Sequence, residues 1–400
     1  MKKIIGLTAL CSVLCLLGGW IFSSGDRELD KLVEGMSLEQ KVGQLFMVGN
    51  FAKKTSFEEV FSQYYYGNVF LGFADINHLD AEQITALTAR LQELSAKYNN
   101  GVPLLIATDQ EGGKVNRVRN GVVTYPNEEF VGANLDLNQA EKLAEYTAQQ
   151  LRAIGINVNF APVVDVNTEK KSHIAKNGRA FSEKPDAVAD FGIAYMKGFK
   201  KGGIIGCAKH FPGYGDVAPD PHRDLPVTKK TLDVLEKCEL VPYKALIKSK
   251  NVDLIMTAHI MTPGVTGTEN LPATISKEIM QKLLRDKMGF KGVIVTDDFN
   301  MGAMSAKKGA DELAVQCLNA GVDIILFVGD ATVQKKAWNG VLKAAGDGRI
   351  PEKRLNEAVR RVLALKKKYG LFENNHPSVE KKLYNTEEQK QFLTKLLSGK

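Results

Sequence analysis

The chemically richest stretch of the chain is residues 208–226, AKHFPGYGDVAPDPHRDLP, which follow a short apolar run at 203–207. Its acidic and basic side chains are Lys209, His210, Asp216, Asp220, His222, Arg223 and Asp224. Glycines and prolines between positions 212 and 221 disfavour a helix or a paired strand, so we predict an irregular loop above the end of a strand. A solvated surface loop is the ordinary alternative, but this density of titratable groups favours a catalytic or binding site.

Further ionisable residues follow other apolar, strand-like segments of the sequence. They are Asp109, Glu111, Asp165, His259, Asp297 and Asp298. Such residues converge on one mouth if the strands are parallel members of a barrel. For Asp165 a helix cap or a turn is the stronger alternative, and His259 fits a rim histidine as well as a substrate contact.

The elements that would position these residues alternate regularly along the chain. The predicted strands are 44–48, 67–72, 103–108, 157–164, 203–207, 252–258, 292–296 and 322–328, and most are separated by segments with helical periodicity, such as 80–98 and 185–201. Eight short apolar strands with helices between them favour an α/β fold, a single closed (β/α)8 TIM-type barrel. An open doubly wound sheet is the alternative, but no G-x-G-x-x-G follows the first strand and no Walker A sequence occurs.

The charge and the cysteines of the sequence indicate which kinds of binding partner to expect. The formal net charge is +7, of which Lys2 and Lys3 supply two, and the one dense basic run is 366–368. This diffuse charge predicts no nucleic-acid partner. The five cysteines show no spacing typical of a metal site or a disulfide framework, so we expect buried thiols and no metal.

The N-terminus predicts export from the cytoplasm. Lys2 and Lys3 precede an uncharged apolar run at 4–22, and residues 23–25 then lead into the charged Asp26. We therefore read residues 1–25 as a signal peptide or a membrane anchor, since the run approaches membrane-spanning length. Lipidation at Cys11 or Cys15 is a weaker option, because the small residues that precede a lipoprotein cysteine are missing. The expected location is periplasmic or extracellular.

Residues 36–373 resemble the NagZ-like β-N-acetylglucosaminidases of glycoside hydrolase family 3. The most specific motif is KHFPG at 209–213 with DPH at 220–222 and LP at 225–226. Supporting motifs are DQEGG at 109–113, GRAF at 178–181, MTAH at 256–259, VIVTDDFNM at 293–301, AGVD at 320–323, RLNEAV at 354–359 and YGLF at 369–372. Tyr214 departs from the pattern, because relatives commonly have histidine there.

The resemblance implies a role for particular residues. Asp297 matches the family nucleophile, and His222 with its dyad partner Asp220 matches the general acid/base. The residues that match sugar contacts are Asp109, Arg117, Arg179, Lys209 and His210. A retaining glycosidase needs one group to attack the anomeric carbon and another to exchange a proton with the glycosidic oxygen and then with water, and these residues suit that division.

The activity implied is that of an exo-acting retaining β-N-acetylglucosaminidase that acts on peptidoglycan fragments or chitooligosaccharides without a metal or organic cofactor. The implied organisation is a catalytic barrel over 26–373 and a C-terminal helical tail over 374–400, without the second domain of larger family β-glucosidases, and we expect a monomer.

Two alternative functions stay open. A phosphorylase would use phosphate as the acceptor, since a histidine acid/base tolerates that anion better than a carboxylate. A non-catalytic cell-wall sugar-binding protein is the other.

Overall fold

The computed structural model describes residues 24–49, 57–215, 217, 225–299, 309–373 and 384–398. Its strands are β1 (Phe46–Gly49), β2 (Asn68–Phe70), β3 (Leu105–Thr108), β4 (Gln110–Gly112), β5 (Val115–Asn116), β6 (Val158–Asn159), β7 (Ile205–Phe211), β8 (Leu254–Thr257), β9 (Val293–Thr296) and β10 (Ile325–Val328). The larger helices are Ser24–Glu34, Leu38–Gln44, Phe57–Tyr64, Ala81–Tyr98, Glu128–Asn134, Leu137–Ala153, Pro185–Gly202, Leu232–Lys237, Leu240–Ser249, the π-helix Glu278–Lys287, Ala310–Ala320, Ala331–Gly346, Glu352–Lys368 and Glu387–Ser398. Short helical turns lie at Phe73–Ile76, His173–Lys176, Pro263–Thr266 and Ala273–Ile275.

Within the described residues, eight parallel strands form a closed barrel. Their order is β10, β1, β2, β3, β6, β7, β8, β9. The ring closes between β9 and β10, where Val295 bridges to Ile324 in parallel and the Thr296 N–H donates to the Ile324 carbonyl at 3.0 Å. The predicted (β/α)8 barrel is confirmed. Almost every residue of these strands is buried, as expected for parallel strands covered by helices.

Local signals in the sequence place the surrounding helices. Asp80 begins the helix Ala81–Tyr98 by accepting the Gln83 N–H at 2.9 Å, and the Gln83 side chain accepts the Asp80 N–H in return. The helices Leu137–Ala153 and Pro185–Gly202 approach closely because Gly198 has no side chain. A Cβ there would lie 2.2 Å from the carbonyl oxygen of Glu141. Such contacts fix the helical layer that supports the strand ends.

Strand β7 differs from the prediction and changes where the charged residues sit. It extends to Phe211, so Lys209 and His210 lie within a buried strand and not in an irregular loop. The prediction of a loop from 208 onward was therefore wrong for residues 208–211. The carboxylates that pair with these two residues are distant in the sequence. Local secondary-structure propensity does not indicate such partners.

Other departures are smaller. The antiparallel hairpin of β4 and β5 was not predicted. The single helix expected over 231–248 is two helices, Leu232–Lys237 and Leu240–Ser249. The segment expected as an ordinary helix over 276–288 is a π-helix, Glu278–Lys287. None of these changes moves the ends of the barrel strands.

Two terminal helices pack on the barrel. In the helix Glu387–Ser398, Phe392 makes edge-on contacts with the rings of Tyr125 and Tyr146. The helix Ser24–Glu34 contacts Glu352–Lys368, where Arg360 Nε lies 2.7 Å from Asp30 Oδ1. No helix in the described part of the chain is long and apolar enough to cross a membrane. The apolar run at 4–22 lies outside the described residues.

Candidate active site

A cavity of about 420 Å³ opens at the carboxyl ends of the barrel strands. Its wall includes all five residues predicted to contact sugar and the predicted nucleophile: Asp109, Arg117, Arg179, Lys209, His210 and Asp297. Asp220 and His222, the predicted acid/base pair, lie outside the described residues. The barrel therefore brings together six of the predicted residues, which come from four different segments of the chain.

Lys209 occupies the centre of a network of ion pairs on one side of the cavity. Its Nζ lies 2.8 Å from Asp109 Oδ1 and 2.6 Å from Glu111 Oε1. Glu111 also accepts two hydrogen bonds from Arg179, from Nε at 2.7 Å and from Nη2 at 2.8 Å. This paired geometry is the strongest form of carboxylate binding by arginine. The network ties the residues that follow β3 to the middle of β7.

The local backbone holds Arg179 in position. Gly178, which precedes it, has a φ of 64°, and a Cβ at this residue would lie 2.1 Å from Nδ2 of Asn127. Both the left-handed conformation and the lack of space require glycine here. The Arg179 N–H then donates to the carbonyl of Ile174 at 3.1 Å, which fixes the start of the side chain.

Electrostatics keep this network charged. Burial on its own would raise the pKa of Glu111, but Arg179 and Lys209 outweigh that effect and hold this pKa well below its usual range. Burial likewise disfavours the Lys209 ammonium, yet the carboxylates of Asp109 and Glu111 raise its pKa above the usual value. Both groups are therefore ionised at neutral pH.

A third carboxyl group, that of Glu128, lies beside the network and behaves differently. It is buried, and its Oε1 accepts the Val163 N–H at 2.8 Å. Burial and the neighbouring charge of Glu111 raise the pKa of Glu128 well above the usual value. Burial and this neighbouring charge therefore favour the uncharged form of Glu128 next to the ionised Glu111. No motif or spacing in the sequence pointed to this residue.

His210 is oriented by Asp165, a contact that sequence reasoning ranked second to a cap or a turn. Asp165 is fully buried, and its Oδ2 lies 2.7 Å from His210 Nδ1. Its Oδ1 accepts the Tyr214 N–H at 2.6 Å. The carboxylate therefore fixes the proton on Nδ1 and the plane of the imidazole ring. The preference for a cap or turn at Asp165 was wrong, because the partner lies 45 positions away.

Asp297 follows the last residue of β9 on another side of the same cavity. Its N–H donates to the Thr257 carbonyl at 3.2 Å, and its Oδ1 accepts the Asp298 N–H at 2.8 Å. Burial opposes its ionisation, but the neighbouring side chains of His210, His259 and Lys209 and the Asp298 N–H together lower the pKa of Asp297 below its usual value. Asp297 is thus an anion facing a cavity whose opposite side carries cations.

Asp298 and His259 are bound within the barrel rim. Asp298 Oδ1 accepts the Val328 N–H at 2.8 Å, which links the end of β9 to β10. His259 is buried, and its Nδ1 lies 3.0 Å from Thr274 Oγ1. Burial lowers the pKa of His259 despite the nearby Asp297 charge, so the ring is neutral at pH 7. His259 does not line the cavity, which favours the rim role over a substrate contact.

The arrangement suits the binding of a polyhydroxylated ligand next to a carboxylate. Lysine and arginine N–H groups donate to hydroxyls, and the carboxyl oxygens of Asp109 accept from them. In the part of the chain that the structure describes, no group of three or more histidine, cysteine, aspartate or glutamate side chains could hold a metal ion.

Comparison with known families identifies the class of protein. The sequence profile of the glycosyl hydrolase family 3 N terminal domain matches residues 37–365. The chain therefore belongs to glycosyl hydrolase family 3. This result confirms the resemblance seen in the sequence motifs and the expectation of a glycoside hydrolase.

Individual relatives refine the comparison. A β-hexosaminidase A of Pseudoalteromonas piscicida is 36% identical over 282 residues, which are 67% of this chain and 47% of that protein. The match thus spans about half the length of this relative. A β-N-acetylglucosaminidase of the same family from Paenibacillus sp. str. FPU-7 has a TM-score of 0.84 and 34% identity, over 91% of this chain and 69% of that chain. A β-glucoside phosphorylase bound to 2FGlc has a TM-score of 0.84 and 25% identity, over 94% of this chain and 67% of that chain.

Proposed function

We propose that the protein is an exo-acting retaining β-N-acetylglucosaminidase that removes terminal GlcNAc from peptidoglycan fragments or chitooligosaccharides. The observation that carries the proposal is the position of Asp297. It stands at the end of β9 as an ionised carboxylate in the same cavity as the Lys209 network. The names of the similar β-hexosaminidase and β-N-acetylglucosaminidase support GlcNAc as the sugar.

In the first step, an Asp297 oxygen attacks the anomeric carbon of the bound GlcNAc, and the bond to the leaving oxygen breaks. A covalent glycosyl-aspartate forms with inverted configuration, and attack by water in the second step restores the original one. A carboxylate with a lowered pKa stays ionised and available at neutral pH. The nearby Lys209 ammonium also favours its return as the leaving group in the second step.

Asp109, Arg117, Arg179, Lys209 and His210 bind the sugar hydroxyls in this proposal. The Lys209 ammonium has three N–H donors, and its two carboxylate partners leave one donor for a hydroxyl. Asp109 has one oxygen on Lys209 and the other 3.4 Å from Arg117 Nη2, and a carboxylate oxygen accepts more than one hydrogen bond. The ion pairs thus orient the groups before the sugar arrives.

His222 is the proposed acid/base, and Asp220 is its dyad partner. The support is the match of 209–213 and 220–222 to the family motif. A carboxylate near one imidazole nitrogen makes the other nitrogen the stronger base, which suits a group that first gives a proton to the leaving oxygen and then removes one from water.

Product analysis with a synthetic β-glycoside of GlcNAc, in the presence and in the absence of phosphate, tests the proposal. Release of free GlcNAc in both conditions is expected. GlcNAc-1-phosphate as the main product in phosphate buffer would establish a phosphorylase, which the similarity to a β-glucoside phosphorylase keeps as the second candidate. Specific GlcNAc binding with no turnover in either buffer would identify a sugar-binding protein.

We also propose that the enzyme acts outside the cytoplasm, in the periplasm or beyond the cell, where peptidoglycan is accessible. The support is the apolar run at 4–22 after Lys2 and Lys3. Fractionation of cells that express the full chain tests this location. Recovery of the intact precursor with the soluble cytoplasmic proteins would contradict it.

A further inference from the structure

An aromatic side chain stands exposed at the mouth of the cavity. Phe73 is 46% exposed, lines the cavity and begins the short turn Phe73–Ile76 after β2. The other large hydrophobic side chains exposed in the described residues are the aliphatic Leu137, Val227, Val234 and Leu397. None of these four lines the cavity. Single exposed apolar residues are common, but an aromatic ring on the rim of a sugar site is a binding surface.

Its backbone is held firmly in place. The Gly72 N–H donates to Asp75 Oδ2 at 2.9 Å, and the Asn77 N–H donates to the Phe73 carbonyl at 3.1 Å. Asp75 is itself buried. The exposed ring therefore projects from an ordered turn, and its exposure is a stable feature of the rim.

A cation accompanies the ring. The guanidinium carbon of Arg119 lies 5.4 Å from the centre of the Phe73 ring, and Arg119 Nε donates to the Asn116 carbonyl at 3.0 Å. This bond fixes the side chain through Nε, so the terminal Nη groups keep their donors for other acceptors.

The arginines near the mouth of the cavity differ in their carboxylate partners within the described residues. Arg117 lies 3.4 Å from Asp109, and Arg179 is bound by Glu111. For Arg119, by contrast, no ion pair is found among the described residues, and the side chain is exposed. Arg119 itself does not line the cavity, but it stands exposed directly beside the Phe73 ring that does.

We propose that Phe73 and Arg119 form the leaving-group subsite and that they select an aglycone sugar carrying a carboxylate. This inference rests on the proposed function. An exo-acting enzyme holds the terminal GlcNAc at the closed end of the cavity, beside Asp297 and Lys209, so the next ring of the substrate lies at the rim. There the apolar face of a pyranose packs on Phe73, and Arg119 binds the acid group.

This chemistry distinguishes the two substrate classes. N-acetylmuramic acid without a stem peptide carries a free lactyl carboxylate, and the sugars of a chitooligosaccharide carry none. An arginine donates two parallel hydrogen bonds to a carboxylate but makes only neutral-acceptor bonds to hydroxyls. The subsite therefore favours a peptidoglycan disaccharide over chitobiose.

Three substrates measured side by side test the subsite: nitrophenyl β-GlcNAc, chitobiose and the disaccharide GlcNAc-MurNAc. Arg119→Gln should lower kcat/KM for GlcNAc-MurNAc about tenfold, mainly through KM, and should change the other two by less than about twofold. Phe73→Ala should lower kcat/KM for both disaccharides, and Phe73→Tyr should retain it. Lys114→Gln removes an exposed charge from the turn between β4 and β5, five positions before Arg119, and is the matched control.

The inference and the function can fail separately. An unchanged ratio of GlcNAc-MurNAc to chitobiose in Arg119→Gln, or an equal loss in Lys114→Gln, would overturn the inference although hydrolysis persists. If wild type does not hydrolyse any of the three substrates, the proposed function fails. The subsite is then judged by calorimetry on Asp297→Ala protein, where Arg119→Gln should weaken binding of GlcNAc-MurNAc about tenfold and leave chitobiose unchanged. Equal affinities for GlcNAc-MurNAc in Asp297→Ala protein with and without Arg119→Gln would overturn the inference in this experiment as well.

Discussion

The Lys209 ammonium nitrogen lies 2.8 Å from Asp109 Oδ1, although the two residues are 100 positions apart in the sequence. This contact joins the end of β3 to β7 across the mouth of the barrel. Both side chains line the cavity, so the bond positions them relative to a bound sugar as well as to each other. We therefore expect substitutions at this site to fall into three groups: those that remove the nucleophile, those that change the charge balance of the ion pairs and those that impair proton transfer.

Replacement of Asp297 tests the chemistry. Asp297→Ala should lower kcat on nitrophenyl β-GlcNAc by about a thousandfold or more while the protein stays folded, because no other group forms the covalent intermediate. A slow-releasing fluorinated β-GlcNAc analogue should label a peptide containing Asp297, as mass spectrometry of the digest would show. Asp298→Asn is the control and should still label at Asp297. Attachment of the label to Asp298 in wild type would refute the assignment.

Loss of the Glu111 charge tests the ion-pair network. Glu111→Gln leaves the buried charges of Arg179 and Lys209 with one carboxylate fewer, and breaking such a pair costs about 3–5 kcal/mol of unfolding free energy. Since the folded-state pKa of Glu111 is depressed, its contribution is present above the usual value of 4.5 and is lost as the pH falls through the lowered value. Urea unfolding at pH 7 measures the loss. A variant as stable as wild type would show that the network contributes little.

For Glu128→Gln, in the same cluster, the expected pH dependence of stability is the opposite. The folded-state pKa of Glu128 is raised, so its contribution to stability is complete below 4.5 and is lost as the pH rises towards the raised value. Wild type and variant should be similarly stable at pH 4, and the variant should gain relative stability with a slope of up to about 1.4 kcal/mol per pH unit above that. Unfolding measured from pH 4 to 8 gives this slope. Parallel stability curves would mean that Glu128 is ionised in the fold.

The barrel could be predicted because its causes are local. Each strand is a short apolar run between helical segments, and parallel strands necessarily bring the residues after β3, β7 and β9 to one end. The extension of β7 through Lys209 and His210 was missed because it depends on partners distant in sequence, Asp109 and Asp165. The raised pKa of Glu128 also depends on burial next to Glu111, which no sequence pattern encodes.

Replacement of His222 tests proton transfer, and the expected loss of rate depends on the leaving group. Nitrophenolate departs with little protonation, whereas the oxygen of a natural disaccharide needs a proton as the bond breaks. In single-turnover glycosylation, His222→Ala should slow the disaccharide by about 10²–10⁴-fold but the nitrophenyl glycoside by less than about tenfold. Asp220→Ala should show a milder form of this difference, and His78→Ala, an exposed histidine outside the cavity, should show none. Equal losses on both substrates would mean that His222 binds sugar or supports the structure and does not transfer the proton.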